Sequence, residues 1–331
     1  MRKPSALPLL VALSLAVTAA APFIGLKALA LSEILRPFSG SVESEIFWRI
    51  RLPRVITSFL AGMGLATAGM AFQALFRNPL ATPFTLGVAS GASLGATLVV
   101  SLGISFSVFG LSATSIGSLG GALLAISVVY AFTRARQGFS TSTLLLSGVA
   151  VSFFFSSLIL FIQYLSDFTK SFQILRTLIG GIEVVGYGAV LDLLPFVATG
   201  VAVVASHGHE LNLLSTGEDL AASRGVDVNR AKKVIFFSAS LMVGGVVAVC
   251  GPIGFVGMMT PHICRMILGP DHRRLILAVL VFGGGFLTLC DTLARTLIAP
   301  VELPVGVITA ILGGPFFFWL LITGSAERGT L

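Results

Sequence analysis

Six stretches of the chain, residues 4–26, 55–76, 78–133, 137–166, 234–261 and 303–326, contain no Asp, Glu, Lys, Arg or His. Each is longer than the roughly 18 apolar residues that cross the hydrocarbon core of a bilayer as a helix. Runs of this kind exclude an ordinary soluble fold, and the chain reads as an integral membrane protein. Composition agrees: 55% of the residues are hydrophobic and 11% charged, whereas soluble domains carry about 25% charged residues. A membrane β-barrel would show segments of about ten residues alternating with period two. That alternation is absent, so the spanning elements are helices.

The run 78–133 is long enough for two passes, with the Gly- and Ser-rich SLGISFSVFGLS (101–112) as the break between them. The expectation is an all-α polytopic membrane protein of about ten transmembrane helices, near 5–26, 55–76, 83–101, 113–133, 142–165, 191–206, 232–250, 253–267, 276–294 and 306–324, forming one domain over 1–331. Met1-Arg2-Lys3 before an apolar run, with Ala28-Leu29-Ala30 after it, has features of a signal peptide. The run exceeds the 7–15 residues of such a core, which favours a retained first helix. Cys250, Cys264 and Cys290 are scattered in apolar sequence and suggest neither a disulfide framework nor a zinc spacing.

Basic residues near helix ends set the orientation. With both termini inside, the cytoplasmic side receives Arg2, Lys3, Arg77, Arg134, Arg136, Arg224, Arg230, Lys232, Lys233, Arg265, Arg273, Arg274 and Arg328, most of the 21 Lys and Arg residues. Arg49, Arg51 and Arg54, clustered at the outer end of the second span, depart from that rule. Between the second and third spans lies RNPLATP (77–83). A proline lacks the N–H a helix needs and restricts the residue before it, so Pro79 ends one helix while Pro83 suits the first turn of the next. This is a tight cytoplasmic turn. Gly87, Gly91 and Gly95 then recur every four residues, which permits close helix approach in lipid.

The longest cytoplasmic loop, 207–231, has the pattern of a small helical element. Ser215-x-x-Glu218 and Thr216-x-x-Asp219 both match a capping box, and Gly225 stands where a C-terminal cap takes a left-handed residue. His262, Cys264 and His272 lie close in sequence but have neither a carboxylate trio nor a repeated ligand spacing, so no metal site is expected. The fifth span carries Ser147, Ser152, Ser156 and Ser157, which back-bonding to carbonyls four residues earlier would explain.

Three segments, RLPRVITSFLAGMGLATAGMAFQALFRNPLATPFTLGVASGASLGA (51–96), GPIGFVGMMTPHICRMILGPDHRRL (251–275) and ELPVGVITAILGGPFFFWLL (302–321), together resemble the FecCD family, the permease subunits of type II ABC importers for iron–siderophores, haem and vitamin B12. The resemblance implies the type II ABC importer permease fold, a homodimer around one pathway, two cytoplasmic ABC ATPase subunits and an extracytoplasmic substrate-binding protein in a bacterial inner membrane, with no cofactor, no resident metal and no nucleic acid. It places a cytoplasmic gate at Thr141 and Ser142. It places ATPase coupling on Glu218, Asp219, Ala222, Arg224 and Gly225, and binding-protein docking on Arg51, Arg54 and Arg295. The chain has no G-x-x-x-x-G-K-[ST] phosphate loop, so it is not expected to hydrolyse ATP itself. The resemblance leaves iron(III)–siderophore, haem and cobalamin as cargoes, with the siderophore first.

An ion-coupled secondary transporter or an intramembrane enzyme would need ionisable groups within the bilayer. Asp291 alone lies clearly inside a span, and pairing with Arg295 four residues on is an adequate structural account of it.

Overall fold

The computed structural model describes residues 6–25, 27, 29, 34, 41–108, 111–135 and 141–328. Helices stand at all ten expected places. They are α1 (Ala6–Ala20), α2 (Val42–Phe76), α3 (Val88–Ser101), α4 (Ala113–Ala135), α5 (Thr141–Leu165), α7 (Gly188–Ser206), α10 (Val228–Cys250), α11 (Val256–Leu268), α12 (His272–Ala294) and α13 (Val305–Arg328). Among the described residues seven are long and apolar enough to cross a membrane, and α3, α11 and α13 are shorter in their apolar part. Three smaller helices complete the set: α6 (Phe168–Ile179), α8 (Gly208–Thr216) and α9 (Glu218–Ser223). A two-residue hairpin, Ser107–Val108 against Leu111–Ser112, fills the break between α3 and α4.

The architecture is organised around α2. Within its membrane window 83% of the residues are buried by protein, against 22% for α1, α5 and α7. It packs against α7, α10, α11 and α12, while α3, α4 and α5 form a second group joined to it through α10. Small residues on every face of AGMGLATAGMAF make this possible, because helix association in lipid depends on close van der Waals contact. A Cβ added at Gly69 would lie 1.8 Å from the carbonyl oxygen of Gly257 on α11. On α3, Gly91 and Gly95 meet Gly121 and Gly117 of α4 just as closely, which gives that repeat its structural reason.

The second span begins earlier than hydropathy indicates. Its charged first turns conceal a helix that starts at Val42, capped by Ser41, whose hydroxyl accepts from Ser44 N–H at 3.3 Å. A π turn over Ile46–Arg51 precedes Pro53. Pro53 has no N–H for the Arg49 carbonyl four residues back, and Gly186 N–H donates to that carbonyl instead, at 2.7 Å.

At the other end, Arg77 closes α2 in the left-handed conformation (φ 49°), with Asn78 N–H donating to Gln73 O and Arg77 N–H to Ala74 O. The next helical turn, Pro83–Leu86, starts with Pro83 in its first turn, as expected, and Thr82 and Thr85 cap it reciprocally. The amphipathic α6 follows α5 without crossing. Asp167 caps it by accepting from Lys170 N–H at 2.9 Å, and Gly180 (φ 72°) ends it.

Candidate functional site

Under the orientation above, the inner end of the assembly carries the 207–231 loop. There α8 is tied to the start of α12 by one side chain. Asn212 donates its amide to Asp271 Oδ1 at 2.9 Å, and its oxygen accepts from His272 N–H and lies 2.8 Å from His272 Nδ1. Asp271 also caps α12 through Arg273 N–H. The Asn212 amide is the largest of the influences that hold the Asp271 carboxyl below the usual carboxylate range.

Neither sequence capping box forms. Ser215 and Thr216 belong to the last turn of α8, where their hydroxyls donate back to Asn212 O and Leu213 O, and Gly217 (φ 140°) separates α8 from α9. The helix in this part of the loop is therefore Glu218–Ser223, starting later than the capping patterns at Ser215 and Thr216 suggest. Gly225 does take the left-handed cap (φ 84°), with its N–H donating to Ala222 O and Val226 N–H to Ala221 O.

Glu218 is half-buried and accepts from Lys232 Nζ of α10 at 2.5 Å, the lysine side chain being 2% exposed. That pair fastens α9 to a membrane helix. Asp219, Ala222, Arg224 and Gly225 are exposed, together with Leu220, an apolar side chain on the same short helix. Leu220 is not among the residues on which the sequence resemblance places coupling.

Thr141 and Ser142 open α5 at this end, and Ser142 is exposed. The 136–140 segment before them lies outside the described residues. Along α5, Ser157 back-bonds to Phe153 O, whereas Ser152 reaches both Gly148 O and Phe84 O, the latter at 3.1 Å. His262, Cys264 and His272 go to separate places: His262 meets the Phe316 ring edge-on, Cys264 is buried, and His272 joins Asn212.

At the outer end, the three arginines expected on a rim are turned into the protein. Arg51 is 6% exposed and donates to Pro22 O, Phe23 O and Lys27 O, the last at 2.6 Å, closing the end of α1. Arg295 is also 6% exposed and donates to Ala21 O at 2.5 Å. Arg54 grips Asp291 through Nε and one terminal nitrogen at 3.0–3.1 Å, and its other terminal nitrogen donates to Glu302 at 2.7 Å.

The expected Asp291–Arg295 ion pair does not form, because Arg54 from the neighbouring helix occupies the carboxylate and Arg295 turns to the end of α1. The sequence distance between Arg54 and Asp291 conceals their pairing. Arginine carbonyl-capping and burial on this scale leave Arg51 and Arg295 little surface with which to meet a partner directly.

Beside this network lies a cavity of about 1070 Å³, bounded by the outer end of α4, by α6, by the 181–185 segment, by the end of α10 and by 302–304. Arg54 and Glu302 line one part of it and Arg176 and Glu183 another. Arg176 reaches Glu183 with two nitrogens, at 3.0 and 2.6 Å, both side chains more than 60% exposed. The backbone holds this wall in place. Gly181 N–H donates to Cys250 O, and Gly306 N–H to Gly180 O.

Residues 9–323 match the FecCD transport family. Among curated relatives, an uncharacterized ABC transporter permease of Bacillus subtilis, YvrB, is 41% identical, the alignment covering 86% of this chain and 82% of the relative. The hemin transport permease HmuU of Yersinia pestis is 34% identical over 90% and 91% of the two chains, and the cobalamin import permease BtuC of Halobacterium salinarum 39% over 82% and 72%. A solved chain of a metal-chelate type ABC transporter in an inward-facing conformation superposes with a TM-score of 0.86, at 29% identity, covering 97% of this chain and all of that one. A buried α2 enclosed by the other long helices, the anchored 207–231 hairpin and these similarities agree: the chain belongs to the FecCD transport family, the permease subunits of type II ABC importers.

Proposed function

We propose that two copies of this chain form the membrane pathway of an importer for a bulky metal chelate: an iron(III)–siderophore, haem or cobalamin. Two cytoplasmic ABC ATPase subunits supply the energy by pressing on the 207–231 hairpin, and an extracytoplasmic binding protein delivers cargo at the other face of a bacterial inner membrane, both termini lying in the cytoplasm. The observation that carries this reading is the anchoring of α8 and α9. Glu218 is bonded to buried Lys232 and Asn212 to the start of α12, so a push on exposed Asp219, Leu220, Ala222 and Arg224 passes to two membrane helices. The names of HmuU and of the cobalamin import permease BtuC support a chelate cargo. Thr141 and Ser142, at the inner start of α5, are the gate in this reading.

The test is reconstitution in liposomes with a cognate ABC ATPase and binding protein. ATP-driven chelate uptake is expected, with two copies of the chain per complex by mass. Ser142→Cys is expected to crosslink copy to copy when the pathway is closed and to stop uptake. Uptake driven by an ion gradient without the ATPase would overturn the proposal.

A further inference from the structure

We propose that the outer cavity between α4, α6 and residues 302–304 receives a metal chelate bearing free carboxylates, which take the places of Glu183 on Arg176 and of Glu302 on Arg54. The inference rests on the importer reading and narrows its cargo. The cavity, about 1070 Å³, lies just above the ~300–1000 Å³ range of small-molecule sites, as a bulky chelate requires. Hydroxyls supply neutral hydrogen-bonding surface on the α4 side, where Ser112 Oγ lies 2.8 Å from Thr114 Oγ1 and 2.9 Å from Ser115 Oγ.

The charges give the chemical class. Both guanidinium groups are of a kind that binds carboxylates through two parallel N–H donors. Asp291 fixes Arg54 from behind, so one nitrogen stays aimed at Glu302 on the cavity wall, and the Glu302 side chain is 50% exposed. Arg176 and Glu183 are both exposed, and exposed ion pairs are held weakly. An incoming carboxylate replaces one anion by another at each arginine while the displaced glutamate turns to water, so no charge is left bare. A cation taken by the glutamates would strip Arg176 of its partner and leave Arg54 with Asp291 alone. Arg54 is thus a fixed anchor and Arg176 an exchangeable clamp.

The experiment measures binding of radiolabelled iron to the full-length chain in lipid nanodiscs, which needs neither ATPase nor binding protein. The probes are iron(III)–citrate, which carries free carboxylates, and an iron(III)–trihydroxamate, which carries none. Arg176→Gln is expected to weaken iron(III)–citrate binding about tenfold, while Glu183→Gln and Glu302→Gln strengthen it by a few-fold, the released guanidinium groups being charge-assisted donors. The trihydroxamate is expected to respond to none of the three.

A pair that serves only to hold α6 to the following segment would make Arg176→Gln and Glu183→Gln act in the same direction, and that result would overturn the proposal. So would equal effects on both probes, or no citrate binding to the parent chain. Any of these failures alongside intact ATP-driven uptake of some other chelate removes the site and leaves the importer reading standing. Citrate binding with the opposed signs, but without ATP-driven uptake of any chelate, does the reverse.

Discussion

Replacing Asp291 by alanine removes a carboxylate that is 1% exposed and accepts three contacts of 3.0–3.1 Å from Arg54. The side chains join α12 to α2, which pack extensively against each other. Taking away one partner of a buried ion pair costs about 3–5 kcal/mol, because the other charge is left uncompensated. Here Arg54 retains its 2.7 Å contact with half-exposed Glu302, which places the expected loss near the lower bound, about 3 kcal/mol or roughly a hundredfold in the folding equilibrium.

The double variant Arg54→Met with Asp291→Leu leaves no bare charge in the contact. It is expected to lose less than Asp291→Ala alone, with a coupling energy of about 2 kcal/mol. Reversible unfolding in mixed micelles, followed by the fluorescence of Trp48 and Trp319, measures all the corners of the cycle once Arg54→Met and Asp291→Leu are also made singly. Asp291→Ala within about 0.5 kcal/mol of the parent, the range of ordinary surface changes, would refute the argument. Additive single effects would refute it equally.

Gly69→Ala puts a methyl 1.8 Å from the Gly257 carbonyl and should lower folded yield, at a cost of about 1–3 kcal/mol, whereas Gly120→Ala, which meets nothing within 4 Å, should not; both are read by size-exclusion chromatography and unfolding. Gly225→Val forces a β-branched residue to φ 84°, at about 1–2 kcal/mol, and is expected to reduce ATPase association measured by co-purification while the membrane part stays folded. The depressed pKa of Asp271 means that its contribution is complete above the ordinary carboxylate value near 4 and is lost as pH falls through the lower folded value. Unfolding free energy should therefore decline in that acid window, and Asn212→Leu should reduce the slope there; an unchanged slope would separate Asp271 from α8.

The spans were legible because lipid removes the usual ambiguity: a charge-free run long enough to cross has few other destinations. The RNPLATP turn and the Gly225 cap followed from backbone chemistry that acts within a few residues. What escaped was long-range or amphipathic. The first turns of α2 carry Arg49, Arg51 and Arg54, so hydropathy ended the span at residue 55 although two of those arginines are buried against distant partners. Ser215 and Thr216 fit a capping pattern, but the preceding helix claimed them first. The α6 helix alternates Phe168, Phe172, Leu175 and Ile179 with polar residues at helical spacing, a signal hidden by a search for apolar length alone. Arg176 and Glu183 could not be distinguished from ordinary surface charges until α6 brought both to one cavity.

The burial of α2 also sets an order on biogenesis. Its neighbours α7, α10, α11 and α12 all follow it in the chain, and Arg54 meets Asp291 only after a further 237 residues have been made. At about 5–20 residues per second, that is a wait of roughly 10–50 s, during which the Arg54 guanidinium and the Gln73 amide have none of the partners that later enclose them. A helix with two unsatisfied polar groups and small residues on every face is a poor occupant of lipid. The nascent α2 therefore needs shelter, at the lateral opening of the insertion machinery or beside an insertion chaperone, until α12 emerges, and truncated chains ending before residue 291 should remain crosslinkable to that machinery through α2.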